Sequence, residues 1–230
     1  HGASLVAVLT NRASMLRQVG RVPDALRDYA TALDHAERVH GARHPSVATL
    51  HVNLGQLTLL TGDAAGAYEH MRAAVAIRVA VLGRDDTQTA RAEHGLGKVE
   101  LALGRVDDAE RSFIRAREIL ARAPDEALSS YPEVGLAQVD LARGDVSDAL
   151  RRLERATPAI EDGGPWFSRA EAYRTIARAH LANENEIEAH GFELAAIAAY
   201  GRAGPAYYDR ARDGFGEASI ASTAVSGSSR

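Results

Sequence analysis

Apolar residues recur at three- and four-residue steps from about residue 4 to residue 200, the period of an amphipathic helix and not of a strand. The pattern is interrupted at regular places. Gly20, Gly62 and Gly104 are spaced by 42 and 42 residues, and Gly144 follows after 40. Glycine ends a helix readily, because a left-handed cap costs it nothing. An Asp or Pro then opens the next helix: Pro23 and Asp24, Asp63, Asp107 and Asp108, and Asp145. Acidic residues suit a helix N-terminus, and proline is tolerated in the first turn. The pattern predicts helix pairs at 4–19 and 22–39, 46–61 and 64–82, 87–103 and 106–122, 131–143 and 146–159, and 166–182 and 186–201. Ser130 to Glu133 reads as a capping box with Pro132 inside the first turn. The stretch from Glu161 to Pro165 reads as a break. A short closing helix is expected at 205–213, where Tyr207 and Tyr208 are available to cover the last pair, and residues 215–230 read as a disordered tail.

Within each unit the residue types also repeat. Five residues after the glycine stands an alanine (Ala25, Ala67, Ala109), nine after it a bulky residue (Tyr29, Met71, Phe113), and twelve after it another alanine (Ala32, Ala74, Ala116). Gly144 carries Ala149, Leu153 and Ala156 at the same offsets. A fifth unit keeps Ala189 and Ala196, but Glu184 replaces the glycine and Glu193 the bulky residue. Upstream of the breaks lie Leu54 and Gly55, Leu96 and Gly97, and Leu136 and Ala137, with Arg12 and Ala13 in the first unit and Ile176 and Ala177 in the fifth. The alanines share one helix face, so the two helices of a unit can approach closely. The bulky residue lies on that same face and should fill the gap between adjacent units.

These offsets resemble those of the tetratricopeptide repeat (TPR) over about residues 4 to 200. The connectors 40–48 (HGARHPSVA) and 82–90 (LGRDDTQTA), with the 42-residue period, are similar to the kinesin-light-chain-like subtype. That subtype is common in bacterial multi-domain proteins as a sensor or scaffold region. The resemblance implies an all-α, right-handed superhelical solenoid of about five helix-turn-helix repeats plus the closing helix, spanning residues 1–214. The repeats fall at about 4–41, 46–84, 87–123, 130–160 and 166–201. It also implies a concave groove lined by residues 13, 10, 6 and 3 before each glycine. Those positions are Ala7, Thr10, Ser14 and Arg17; Thr49, Val52, Gln56 and Leu59; Arg91, His94, Lys98 and Leu101; Tyr131, Val134, Gln138 and Leu141; and Glu171, Arg174, Arg178 and Leu181. Asn53 lies near the slot where such repeats hold a ligand backbone, while Gly95 and Gly135 stand at the equivalent places. The expected peptide-binding set is therefore Asn53, Gln56, Arg91, His94, Lys98, Tyr131, Gln138, Arg174 and Arg178. Its bases face a single acid, Glu171, so a protein or acidic peptide is the expected partner.

Composition narrows the function classes. Net charge is −4, too mild to make nucleic acid or a membrane surface the default partner. No run of 18 apolar residues exists to span a bilayer. There is no cysteine, which excludes disulfides, thiol nucleophiles and zinc–cysteine sites. Aromatics are 5% and alanine is abundant, as close helix packing requires. Lys98 is the single lysine. No metalloprotease, nucleophile-elbow or phosphate-loop motif occurs. His40, His44 and His51 could in principle meet at a metal, but a connector role for the first two weighs more. Trp166 reads as a packing anchor. The expected function is therefore non-catalytic protein recognition or scaffolding in the cytoplasm, without cofactor, and with self-association open to the degraded end repeats. The chain begins at His1 with no leader. That start suggests a fragment, and so an alternative: the C-terminal regulatory region of a larger signalling protein such as a bacterial Ser/Thr kinase.

Overall fold

The computed structural model describes residues 2–122, 130–162 and 166–204. Among them are ten helices and no strand: α1 (Gly2–Gln18), α2 (Val22–His40), α3 (Pro45–Leu60), α4 (Ala64–Leu82), α5 (Thr87–Ala102), α6 (Val106–Arg122), α7 (Tyr131–Arg143), α8 (Val146–Asp162), α9 (Trp166–Ala182) and α10 (Glu186–Ala203). The ten paired helices expected between residues 4 and 201 are present, with ends within about three residues of those expected. The closing helix and tail expected beyond residue 204, and the Trp166 side chain, lie outside the described residues. Each odd-numbered helix packs on the even-numbered one that follows, and each even one on the next odd one. The odd helices also touch in series, α3 with α5, α5 with α7 and α7 with α9. The result is a solenoid with one face made of odd helices.

The turn inside each hairpin is left-handed. Gly20, Gly62, Gly104 and Gly144 have φ of 80°, 93°, 73° and 87°. In the fifth hairpin the repeat geometry prevails over the residue type: Glu184 takes φ 58°, the only non-glycine with positive φ among the described residues. Asp63, Asp86 and Asn185 cap the helices that follow them, through the backbone N–H of Gly66, Gln88 and Glu188. The capping box at Ser130 does not form. Ser130 has helical backbone angles (φ −83°, ψ −19°), and its side chain makes no capping bond. Glu133 is drawn instead to Arg152 of α8, 2.9 Å away.

The core is a set of layers, each built on one large side chain. The alanines of the repeat are buried: Ala25, Ala67, Ala109, Ala149 and Ala189 are 0% exposed. Phe113, also 0% exposed, sits where two neighbouring helices carry glycine. A Cβ on Gly97 of α5 would lie 2.7 Å from its ring, and one on Gly135 of α7 would lie 2.5 Å away. Met71 repeats this one layer earlier, where Cβ atoms on Gly55 and Gly95 would each come within 3.0 Å of it. Arg12 fills the leucine slot of the first repeat and remains largely exposed. It reaches back to Asp28 of α2 with two bonds of 2.6 and 2.7 Å. Between repeats two and three the buried Arg78 donates to the Gln88 carbonyl and fixes the connector, and burial lowers its pKa to about 10.

Two substitutions test this packing. Gly135→Ala should destabilise by about 1–3 kcal/mol through overpacking against Phe113. Glu184→Gly should stabilise by roughly 0.5–1 kcal/mol, the left-handed penalty less the chain entropy of glycine. Denaturant unfolding reads both.

Candidate functional site

The residues expected to line the groove divide into two regions. On α1 and α3 most positions are open: Ala7, Thr49 and Gln56 are exposed and Thr10, Ser14, Arg17, Asn53 and Leu59 are half-exposed, but Val52, expected in the groove, is buried in the core between α3, α4 and α5. Asn11 on α1 was not among the expected residues. It lies nine residues before its hairpin glycine, as Asn53 does, and is exposed. Gly95 and Gly135 occupy that slot in the next two repeats, and their glycine has a packing cause: a side chain there would run into Met71 or Phe113. In the fifth repeat the slot holds Thr175, which is buried.

From α5 to α9 the face closes on itself. Lys98 Nζ donates to both carboxylate oxygens of Glu171, at 2.6 and 2.7 Å. This pair joins α5 to α9 and passes over α7. Beside it the Gln138 amide donates to Thr175 Oγ1 at 2.9 Å. His94, Lys98, Tyr131, Gln138, Ser168 and Glu171 together enclose a cleft of only about 20 Å³, roughly one water. The His94 ring lies 5.3 Å from Phe113 and 6.1 Å from Tyr131. Its Nδ1 is buried without a hydrogen-bond partner. Burial, and secondarily the charge of Lys98, push its pKa down to about 3. His94 is thus a neutral wall and not a cation, and Tyr131, 9% exposed, is a wall beside it. Arg91 and Arg178 are exposed and Arg174 is half-exposed, and none of the three makes an ion pair among the described residues.

The expected set is therefore gathered only in part. His94, Lys98, Tyr131 and Gln138 share one cleft, Arg174 and Arg178 continue along α9, and Asn53 and Gln56 stand apart on α3. Ser168 and Thr175 belong with the first group and were missed, because pairing between helices of different repeats leaves no local signal. A wider recess, about 560 Å³, lies elsewhere, among α6, α7 and α8. It carries Arg117, Arg151, Arg152 and Arg155, but Arg152 is taken up by Glu133 and Asp140 and Arg151 by Asp148. Its charge is largely compensated from within, so it is not the better candidate.

The connector histidines do not converge on His51. His40 stacks on His44 at 4.6 Å, while His51 Nδ1 lies 3.0 Å from His70 Nδ1 of α4. No group of three or more potential metal ligands exists among the described residues. No helix there is long and apolar enough to cross a membrane.

Stacked hairpins with two small slots and one large slot per unit, presenting a polar face of first helices, define a tetratricopeptide-repeat solenoid. The chain belongs to the MalT-like TPR region family, whose model matches residues 1–199. No curated protein sequence matches it significantly. Among solved structures, nearly identical TPR-like repeats of a kinesin light chain from Podosopora anserina are 22% identical, over 86% of this chain and 96% of that one, with a TM-score of 0.63. BtubC (BKLC) from P. vanneervenii is 17% identical, over 87% of this chain and 81% of that one, with a TM-score of 0.65. The Rap conjugation gene regulator of the plasmid pLS20, solved with a Phr peptide, is 15% identical, over 77% of this chain and 48% of that one, also at 0.65. These likenesses are of fold.

The buried histidines give a pH dependence. His51, lowered to about 4 chiefly by burial, and His94 both hold folded pKa values below the ordinary 6.5. Between those values the unfolded chain binds more protons, so stability is full above about pH 6.5 and falls as the solution is acidified. Each imidazole contributes a slope of up to about 1.4 kcal/mol per pH unit. Thermal melts from pH 7 to 4 should show the decline, and His94→Leu should flatten it.

Proposed function

We propose that this chain is a non-catalytic recognition module that holds an acidic peptide or an acidic segment of a partner protein along its odd-helix face. The observation that carries the reading is the charge of that face. Arg91, Arg174 and Arg178 stand on α5 and α9 without carboxylate partners among the described residues, on a protein whose net charge is −4. The open surface of α1 and α3, with Asn11, Asn53 and Gln56, supplies side-chain amides that can bond a peptide backbone. The Rap regulator, similar in fold over 48% of its chain and solved in complex with a peptide, supports the mode of use. The guanidiniums give long-range attraction and charge-assisted bonds, and the amides give register.

A second reading makes the array the regulatory region of a larger signalling protein such as a bacterial Ser/Thr kinase, working in the cytoplasm. One surface favours it. Leu5, Val8, Met15 and Val19 lie along one side of α1 and just past its end, and are 40%, 57%, 66% and 62% exposed. A stripe of this kind suits packing against further protein. A monomer–dimer equilibrium in sedimentation, abolished by Val8→Glu with Met15→Glu, would assign the stripe to self-association instead.

The recognition reading is tested by charge reversal. Arg91→Glu, Arg174→Glu and Arg178→Glu together should weaken binding of a fluorescein-labelled hexaglutamate peptide by more than about tenfold, because each removed charge pair acts on both attraction and docking. The melting temperature should change little, since these side chains make no ion pairs among the described residues. Anisotropy titration at low ionic strength measures it, and unchanged affinity would sink the reading. Lys98 is left intact because its reversal would set two carboxylates face to face at Glu171.

A further inference from the structure

Glu171 is the only acid among the twenty positions that line the odd-helix face, and it is held by the only lysine of the chain. The two residues are 73 positions apart, and their side chains are only 22% and 19% exposed. Repeat packing requires neither. At the place of Lys98 the other repeats carry Ser14, Gln56, Gln138 and Arg178, and at the place of Glu171 they carry Ala7, Thr49, Arg91 and Tyr131. Nor does a solenoid need such a bond, because each repeat is normally stabilised by its immediate neighbours alone. A largely buried ion pair is also an inefficient way to gain stability, since desolvation offsets most of the attraction. The pair is thus unexplained as architecture.

It has instead the geometry of an occupied binding subsite. One ammonium meets both oxygens of one carboxylate at 2.6 and 2.7 Å, walled by the neutral His94 and by Tyr131, with Gln138 and Ser168 completing the cleft. We propose that Glu171 is a built-in stand-in for a ligand carboxylate. Lys98 is a carboxylate subsite, and Glu171 fills it until an acidic side chain or C-terminus of the partner displaces it. This rests on the reading of the face as a site for acidic ligands. The exchange is nearly balanced in charge, because one carboxylate replaces another on Lys98. Arg174, one helical turn from Glu171, offers the released side chain a new partner. The Gln138–Thr175 bond beside the pair opens in the same movement, which separates α9 from α5 and α7. Glu171 therefore sets a threshold: weakly acidic segments leave the face closed, and only a well-placed carboxylate opens it.

The single lysine makes the pair directly measurable. Besides the N-terminus, Lys98 is the only amine in the chain, so its acylation by an amine-reactive ester can be followed by mass spectrometry. An ammonium engaged by a carboxylate on both oxygens should react slowly. Glu171→Gln and Glu171→Ala should each react about tenfold faster, the scale on which a charge-assisted pair differs from none. The same variants should bind fluorescein-labelled hexaglutamate about tenfold tighter than the wild type, and Lys98→Gln added to Glu171→Gln should cancel that gain. Circular dichroism confirms that each variant is folded, and the two substitutions at 171 guard against one of them failing. Equal acylation rates would show that the pair does not hold, whatever the ligand does. Faster acylation with unchanged or weaker peptide affinity would make the pair purely structural. That result overturns the proposal, while weakening by the three arginine reversals would leave the recognition reading standing. Failure of every variant, wild type included, to bind hexaglutamate would remove the acidic-ligand reading and this proposal with it.

Discussion

The architecture depends on a large side chain being inserted where two helices present none. Phe113 reaches from α6 into a slot whose walls are Gly97 and Gly135, on the helix of its own hairpin and on the first helix of the next. Met71 does the same between Gly55 and Gly95. Each insertion fixes the spacing within a hairpin and the spacing to the following one, so a single contact sets both the local and the long-range geometry. The buried alanines at the flanking positions let the helices come close enough for the insertion to be tight. Because interiors are packed to the density of organic crystals, such a slot accepts almost no change in volume. The low aromatic content goes with this: each slot takes one large side chain, and aliphatic residues such as Leu50, Leu57 and Ile160 fill the rest of the core.

Most of the fold was legible, for a physical reason. Repeats built by local helix packing write their rules at fixed offsets, so the spacing of Ala109, Phe113 and Ala116 along the chain is enough to announce their partners. The role of Gly95 and Gly135 was harder to read. Their absence of side chain looked like the loss of a ligand-holding asparagine, whereas it is a steric demand from a residue on another helix. The capping box at Ser130 misled because Glu133 had a competing offer from Arg152, which no local motif can reveal. Glu184 is the opposite case. The repeat register marked it as an intruder in a glycine position, and the backbone there is left-handed all the same.

The face was legible as a set of positions and not as an arrangement. Family register indicates which side chains share the face, but their states depend on depth. His94 and Lys98 are one turn apart on α5, yet the first is a neutral element of the wall and the second carries the strongest polar contact of the face. Arg91, Arg174 and Arg178, without carboxylate partners among the described residues, stand on the same two helices, α5 and α9. On the proposed reading, recognition by this face would depend on both charge and access. The amides of α1 and α3 are open, and the ammonium at the centre is engaged.

The pair between α5 and α9 also changes the mechanics of the array. A solenoid in which only neighbours touch bends like a uniform chain of springs, each joint independent of the others. A bond that passes over one repeat ties two joints together, so the third, fourth and fifth hairpins flex as one stiff segment. The first hairpin also meets the last, for the backbone at Gly204, just past α10, lies so close to the end of α1 that a Cβ there would come 2.8 Å from the Gln18 carbonyl oxygen. The array is thus tied across its repeats as well as along them, by the ion pair between α5 and α9 and by the contact of α10 with α1.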